Sequence, residues 1–275
     1  MKFVLEFGIL TWVIYMLICP ICHEKLTLEN KSMKCSHNHC FDIAKEGYLN
    51  LLRKNSTNHG DNKDMVLARR HFLEKDYYAP LRNRIIELLN ENKPATILDL
   101  GCGEGYYTHE IALQTGAKVY GNDVSKEAIK LAAKKDKSIQ YFIASSSDLP
   151  LQSSSMDCMT CIFSFYDFEE CKRVLKENGK LLVVSPGPNH LIELKSAVYD
   201  TPYLNEVKPM DESVLKKDKE VHVSYTFDIT NNEDIIELFG MTPYAFKTKI
   251  SDRAKLDTIQ ALTLTADFVI QIYTK

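Results

Sequence analysis

Residues 97–108 read I-L-D-L-G-C-G-E-G-Y-Y-T, and this stretch dictates more of the architecture than any other. Ile97, Leu98 and Leu100 form a short apolar run, the pattern of a strand buried on both faces. Gly101, Gly103 and Gly105 follow at alternate positions, and a helical pattern opens at Tyr106. Strand, glycine turn and helix is the opening unit of a doubly wound sheet that binds its ligand at the turn. Glycine suits that turn because no Cβ stands between backbone and ligand. A second apolar run, 118–122, ends at Asp123, twenty positions after Gly103. Such folds keep an acid there for ribose hydroxyls.

The dinucleotide fingerprint is G-x-G-x-x-G. Here position 106 is Tyr, so the third glycine comes one residue early. G-x-G-x-G with Asp99 two residues upstream resembles instead the first motif of S-adenosylmethionine-dependent methyltransferases.

The remaining pattern is consistent with a parallel sheet. Expected strands at 96–100, 117–122, 139–144, 157–163 and 180–185 alternate with expected helices at 105–115, 125–135 and 167–176. Two alternating runs, 221–229 and 266–274, predict a final antiparallel pair, with helices over 231–239 and 251–260. Cys158 and Cys161 are three apart within one strand, so they point to opposite faces and read as core. The turn Ser185-Pro186-Gly187-Pro188-Asn189-His190 lies at the carboxyl end of a strand, where ligands bind in open α/β sheets; His190 can cap or line that pocket.

The amino-terminal third carries different chemistry. Cys19-Pro20-Ile21-Cys22 is a tight knuckle, and Cys35, His37, His39 and Cys40 follow. Two short knuckles on a hairpin supply the four N or S ligands that tetrahedral zinc requires. Cys19, Cys22 and Cys35 take three places, and spacing leaves His39 and Cys40 competing for the fourth. A redox role for Cys19 and Cys22 needs a thioredoxin-like context that the flanking sequence lacks. Four of the eight cysteines crowd into 19–40, which points to metal in a reducing compartment rather than to a disulfide scaffold.

Net charge is −3, which excludes a globally basic nucleic-acid surface. Residues 19–93 nevertheless hold 13 Lys+Arg against 10 Asp+Glu, while residues 94–275 hold 20 against 26. The first third is therefore the part suited to an anionic partner. A polar linker leads from residue 53 into a helix from about Asp64 that carries Arg69 and Arg70; the pair can meet phosphate or simply face solvent. Residues 79–92 form an amphipathic helix that Pro94 ends. Residues 3–18 are almost wholly apolar but too short for a comfortable bilayer span, and no small-residue cleavage site precedes Cys19. The stretch reads either as a membrane-dipping tail or as the product of a mis-assigned start; Met16 is the expected start of the protein, and no stable membrane association is expected.

Taken in order, these motifs make the chain similar to the RlmA family, bacterial methyltransferases acting on N1 of a guanine in large-subunit (23S) ribosomal RNA. The resemblance runs from Cys19 to the carboxyl terminus. It rests on C-P-x-C at 19–22, C-x-x-x-H-x-F-D at 35–42 and A-K-E-G-Y-x-N-L-L at 44–52. It continues in G-D-x-x-x-M-x-x-A-R-R-x-F-L at 60–73, L-D-L-G-C-G-E-G-Y-Y-T at 98–108, D-V-S-K-x-A-I-K at 123–130 and P-G-P-x-H-L-x-E-L-K at 186–195. It implies an α/β, Rossmann-like class I methyltransferase with a doubly wound, mostly parallel seven-stranded sheet and a small amino-terminal zinc-binding module. The corresponding divisions are an apolar tail at 1–18, a zinc-binding RNA-recognition module at 19–54, a linker and helices at 55–93, and the methyltransferase domain at 94–275.

The resemblance also implies zinc on Cys19, Cys22, Cys35 and His39, and S-adenosylmethionine contacts from Tyr78, Gly103, Glu104 and His190. Gly101 and Gly105 complete the glycine loop, and Asp123 is the ribose acid. The implied partners are large-subunit ribosomal RNA, gripped by the zinc module, and a second copy of the chain; the implied location is the cytoplasm. The chain departs from the family at Ser164-Phe165, where a small residue and Pro are usual, and at Glu177-Asn178-Gly179, where Pro-Gly-Gly is common. The residues nominate Phe165, Tyr166 and Tyr78 as stacking partners for a target base and single out no general base. A small-molecule methyltransferase would share the glycine loop without needing the knuckle. A non-catalytic zinc RNA-binding protein would share the knuckle without needing the loop and Asp123.

Overall fold

Eight strands form the central sheet of the computed structural model, which describes residues 16–53, 60–207, 212–245 and 247–275. A three-stranded antiparallel sheet comes first: β1 (Thr27–Glu29), β2 (Ser32–Lys34) and β3 (Cys40–Asp42). Then follow β4 (Leu49–Asn50), α1 (Lys63–Leu73), α2 (Ala79–Asn92), β5 (Thr96–Leu100), α3 (Tyr106–Thr115), β6 (Lys118–Asp123), α4 (Lys126–Lys135) and β7 (Gln140–Ile143). The second half runs β8 (Met156–Ile162), α5 (Phe168–Val174), β9 (Leu175–Pro186), α6 (Ile192–Val198), β10 (Lys216–Ile229), α7 (Asn232–Gly240), α8 (Ile250–Arg253) and β11 (Leu262–Thr274).

Strand order is β10-β11-β9-β8-β5-β6-β7-β4. Pairing is parallel from β9 to β4 and antiparallel for β9–β11 and β11–β10. The chain winds outward from β5 to β6 and β7, then returns to the other side of β5 as β8. The order therefore reverses at the carboxyl end of β5, and a crevice opens there. The expected seven strands become eight because Leu49–Asn50 pairs parallel with Phe142–Ile143 and extends the sheet from the amino-terminal side.

The sheet buries both faces. Helix α2 presents Leu81, Ile85, Ile86, Leu88 and Leu89 to one of them, each burial stabilising by roughly 1.5–3 kcal/mol. Cys158 belongs to this core and Cys161 to the opposite one, as alternation along β8 requires. The second face is covered by α5 and also by Leu26, Met33, Cys19 and Cys35 of the small sheet. Met16–Ile18, expected in the tail, are part of the fold. Leu17 is fully buried and bridges Leu151, and the Ile18 amide donates to the Pro150 carbonyl at 2.9 Å. Residues 1–15 and the linker at 54–59 lie outside the described residues.

Two boundaries differ from expectation. The helix expected at 167–176 stops at Val174, because β9 begins at Leu175 and carries the Glu177-Asn178-Gly179 turn within it. The helix expected at 251–260 is a four-residue α8 that tightens into a 3-10 turn over Ala254–Thr258. Among the described residues, no helix is long and apolar enough to cross a membrane.

Candidate active site and zinc centre

The glycine loop leaves β5 in left-handed conformation. Gly101, Gly103 and Gly105 have φ of +65°, +57° and +87°, which side chains rarely tolerate. Among the described residues, a Cβ on Gly103 would meet nothing within 4 Å, so they leave that side of the loop open. Asp99, buried one turn below, accepts hydrogen bonds from Thr108 Oγ1 at 2.6 Å and Thr160 Oγ1 at 2.8 Å. It thereby ties the start of α3 and strand β8 to β5. Burial pushes its carboxyl up to about 6, with the two hydroxyls opposing the rise.

Asp123, at the end of β6, accepts from the Gly103 amide at 3.0 Å and the Ser125 amide at 2.7 Å. Burial raises its carboxyl, and those amides hold it down in part. The acid expected for the ribose thus also fixes the glycine loop. Glu104 is 3% exposed, and among the described residues neither of its carboxylate oxygens has a partner at hydrogen-bond geometry, the Tyr106 amide pulling on it only weakly. Burial raises it as well, against the pull of Lys135 and Arg70. A buried carboxylate without donors is costly on its own. Beside an open glycine it fits a ligand that brings hydroxyl or ammonium donors, as S-adenosylmethionine does.

Tyr78 and His190 come together on the other side. Tyr78 Oη and His190 Nε2 are 3.4 Å apart, and the Asp267 amide donates to His190 Nδ1 at 3.3 Å. This places the imidazole proton on Nε2. Burial, helped by the Lys195 charge, pushes His190 down to about 3, so it is neutral at ordinary pH. A neutral ring is compatible with a cationic ligand beside it. Phe163 connects the two halves. Its ring packs on Tyr78 and Phe268, and the next residue, Ser164, lies against Gly101.

Of the stacking candidates, Tyr78 is 4% exposed and Tyr166 packs on Phe168, whereas Phe165 is 68% exposed. Phe163, 42% exposed, was not singled out by the sequence, and Lys195 entered only as the last residue of the 186–195 motif. Thr160 gave no signal, because its contact with Asp99 arises from β5–β8 pairing, and Ser164 stood out only as a departure from the family, not as the neighbour of Gly101. Arg69 and Arg70 are both engaged by carboxylates, Arg69 with Asp61 and Arg70 with Glu74 at 2.7 Å. They form ion pairs on α1 instead of an open phosphate fork.

In the turns flanking the small sheet, the ligand atoms of Cys19, Cys22, Cys35 and His39 all lie within 4.8 Å of one another. Cys19 Sγ and Cys35 Sγ are each 3.4 Å from His39 Nδ1, and Cys22 Sγ is 3.6 Å from Cys35 Sγ. A zinc tetrahedron with Zn–S of about 2.3 Å and Zn–N of about 2.05 Å has edges of about 3.8 and 3.5 Å. The group is therefore close to zinc geometry. Cys40, the rival to His39, is exposed and outside the group; His37 and His23 are exposed too.

Comparison with known proteins agrees with both centres. Residues 17–56 match the family described as RlmA, N-terminal, a zinc ribbon, and residues 98–183 match the methyltransferase domain family. A 23S rRNA (guanine(748)-N(1))-methyltransferase of Streptomyces fradiae is 32% identical over 192 residues, 68% of this chain and 69% of that protein. A putative 23S rRNA (guanine-N(1)-)-methyltransferase of Bacillus subtilis is 33% identical over 202 residues, 67% of this chain and 69% of its own length. In fold, the chain is similar to the YcgJ protein of Bacillus subtilis, with a TM-score of 0.51 at 15% identity over 70% of this chain and 97% of that one. With an RlmA zinc ribbon followed by a methyltransferase domain, and with 32% identity to the Streptomyces fradiae enzyme over 68% of its length, the chain belongs to the RlmA family of S-adenosylmethionine-dependent 23S rRNA guanine-N1-methyltransferases.

Proposed function

We propose that this protein transfers a methyl group from S-adenosylmethionine to N1 of a guanine in a hairpin of large-subunit ribosomal RNA. The observation that carries the reading is the joining, across one buried core, of a Cys3His ribbon and the glycine loop with Asp123. A small-molecule enzyme needs only the second, and a binding protein only the first.

When bound, S-adenosylmethionine supplies an electrophilic methyl group on a sulfonium. As the N1–CH3 bond forms and the S–CH3 bond breaks, the guanine N1 proton passes to solvent water, and the chain's own residues do the rest by placement. Asp123 takes the ribose hydroxyls while its second lone pairs hold Gly103 and Ser125. Glu104 gives two unpartnered acceptors to the cofactor's donors. Gly103 allows close approach, Gly101 and Gly105 shape the loop, and Tyr78 with neutral His190 closes the far wall. Alignment of nucleophile and methyl carbon provides most of the rate for such a transfer. Cys19, Cys22, Cys35 and His39 hold zinc, and the ribbon grips the RNA. The setting is the cytoplasm, where the eight free cysteines stay reduced. The working unit is a homodimer, which light scattering tests.

The deciding experiment incubates the purified protein with methyl-labelled cofactor and ribosomal RNA lacking the modification, then maps the labelled nucleotide. Label at guanine N1 in a large-subunit hairpin is the expected result. Label in small molecules but not in RNA overturns the reading.

A further inference from the structure

Among the described residues, Lys195 is a charged side chain buried without a carboxylate partner. Its exposure is 0%, and among the described residues its hydrogen-bond partners are the Tyr203 carbonyl at 3.0 Å and Asn205 Oδ1 at 2.6 Å. The ammonium also lies 4.4 Å from the centroid of the Tyr203 ring and 5.7 Å from that of Tyr244. Sinking an ammonium costs several kcal/mol, so a methionine would be the cheaper filler if packing were its only task.

The ammonium organises a strap. Asn205 Nδ2 donates to the Gly187 carbonyl at 2.9 Å and the His190 carbonyl at 3.3 Å, and its own amide donates to the Pro188 carbonyl at 3.0 Å. Lys195 thus pins residues 203–205 onto the turn that carries His190. What the strap displays is unusual for an exposed segment. Tyr203 is 51% exposed and Leu204 56%, beside a site built for a polar cofactor. The Tyr203 ring is held by the cation and by the Tyr199 ring, whose centroid is 5.9 Å away, and half of the residue stays open to solvent. A ring fixed in this way loses little freedom when a flat partner stacks on it.

We propose that Tyr203 is a stacking platform for an unpaired base of the RNA substrate and that Lys195 beneath it is the positioning residue. The proposal rests on the RNA reading above. Its location argues for substrate rather than another protein, since the strap is continuous through Asn205 with the His190 turn. The occupant it fits is a nucleobase splayed from a hairpin loop, the form in which RNA sequence is usually read.

The test uses the full-length protein and a hairpin that the wild type methylates. Tyr203→Ala raises the RNA KM roughly 5- to 150-fold, the loss of one stacked base, while cofactor affinity by calorimetry stays within about twofold. Tyr203→Phe keeps the wild-type KM. Lys195→Met reproduces the KM defect, and the double variant is no worse than Tyr203→Ala, because both remove one platform. A 2-aminopurine scan of the loop finds one position whose emission is quenched by wild type and not by Tyr203→Ala. An unchanged KM in Tyr203→Ala, or defects that multiply in the double variant, overturns the proposal. A wild type that methylates no ribosomal RNA instead overturns the functional reading itself.

Discussion

Ser164 occupies the space that a side chain on Gly101 would need: a Cβ built there lies 1.8 Å from Ser164 Oγ and 2.4 Å from Ser164 Cβ. The glycine loop and the loop after β8 are therefore packed against each other with nothing to spare. This contact brings the glycine loop up to Phe163, and through it to Tyr78 and His190.

Gly101 and Gly103 should consequently fail in different ways. Gly101→Ala faces both a clash and φ of +65°, so it should cost roughly 2–4 kcal/mol of stability in a urea titration. Adding Ser164→Gly should restore part of that loss. Gly103→Ala meets only the backbone term, about 1 kcal/mol, because its Cβ would enter open space. Its main effect should be on cofactor affinity, at least tenfold by calorimetry. Equal stability losses in the two variants would show that the open side of Gly103 has no special role.

Asp99 predicts a pH signature. Its folded value, about 6, lies above the ordinary 3.8, so the fold favours the protonated acid. Its contribution is fully present below about pH 4 and is lost as pH rises through 6, a change of about 3 kcal/mol. Asp99→Asn is neutral throughout and can still pair with Thr108 and Thr160. The stability of the variant relative to wild type should therefore rise by that amount between pH 4 and pH 7. Urea titrations at several pH values measure it, and a constant difference would contradict the assignment.

Much of this site was legible before any coordinates, and the reason is local. The strand–glycine–helix unit is written within 97–108, and Asp123 falls at a fixed distance because one helix and one strand separate it from the loop. The knuckles are local too, although spacing alone left His39 and Cys40 level. Only the side on which each projects from the turn at 35–40 separates them. The contacts that escaped the sequence join distant segments: Ser164 to Gly101, and Leu49–Asn50 to β7. Neither of them carries a periodicity or spacing, since each is set by the sheet order. The ribbon's seat on the sheet was hidden for the same reason.

That seat changes what zinc removal should do. Cys19, Cys35, Leu26 and Met33 share a core with Leu98, Leu100 and Phe142 of the main sheet. A ribbon tethered by a free linker would unfold alone on chelation. Here its loss uncovers one face of the sheet, so chelation, or Cys22→Ser, should lower the melting temperature of the whole chain by roughly 5–10 °C. Differential scanning calorimetry should show a single transition that moves down. Two transitions, with the larger unmoved, would mean that the ribbon and sheet are energetically separate.

The arginines of α1 provide the last test, and it turns on salt. Arg69 is paired with Asp61, whose carbonyl accepts from Ser125 Oγ at 2.7 Å, next to the Asp123 carboxylate. Asp61 and Arg69 act on Asp123 with opposite sign. Removing Arg69 leaves the Asp61 charge facing Asp123 unopposed and disturbs the cap over the cofactor loop. Arg69→Ala should therefore weaken cofactor binding by roughly 2–5-fold, the value of a half-exposed ion pair. It should leave the salt dependence of RNA binding unchanged. An arginine on a phosphate would behave in the opposite way: its loss would flatten the plot of log affinity against log salt by about 0.7–0.9 and spare the cofactor. Measuring both constants for Arg69→Ala from about 50 to 200 mM salt separates a residue that braces the cofactor site from one that touches the RNA.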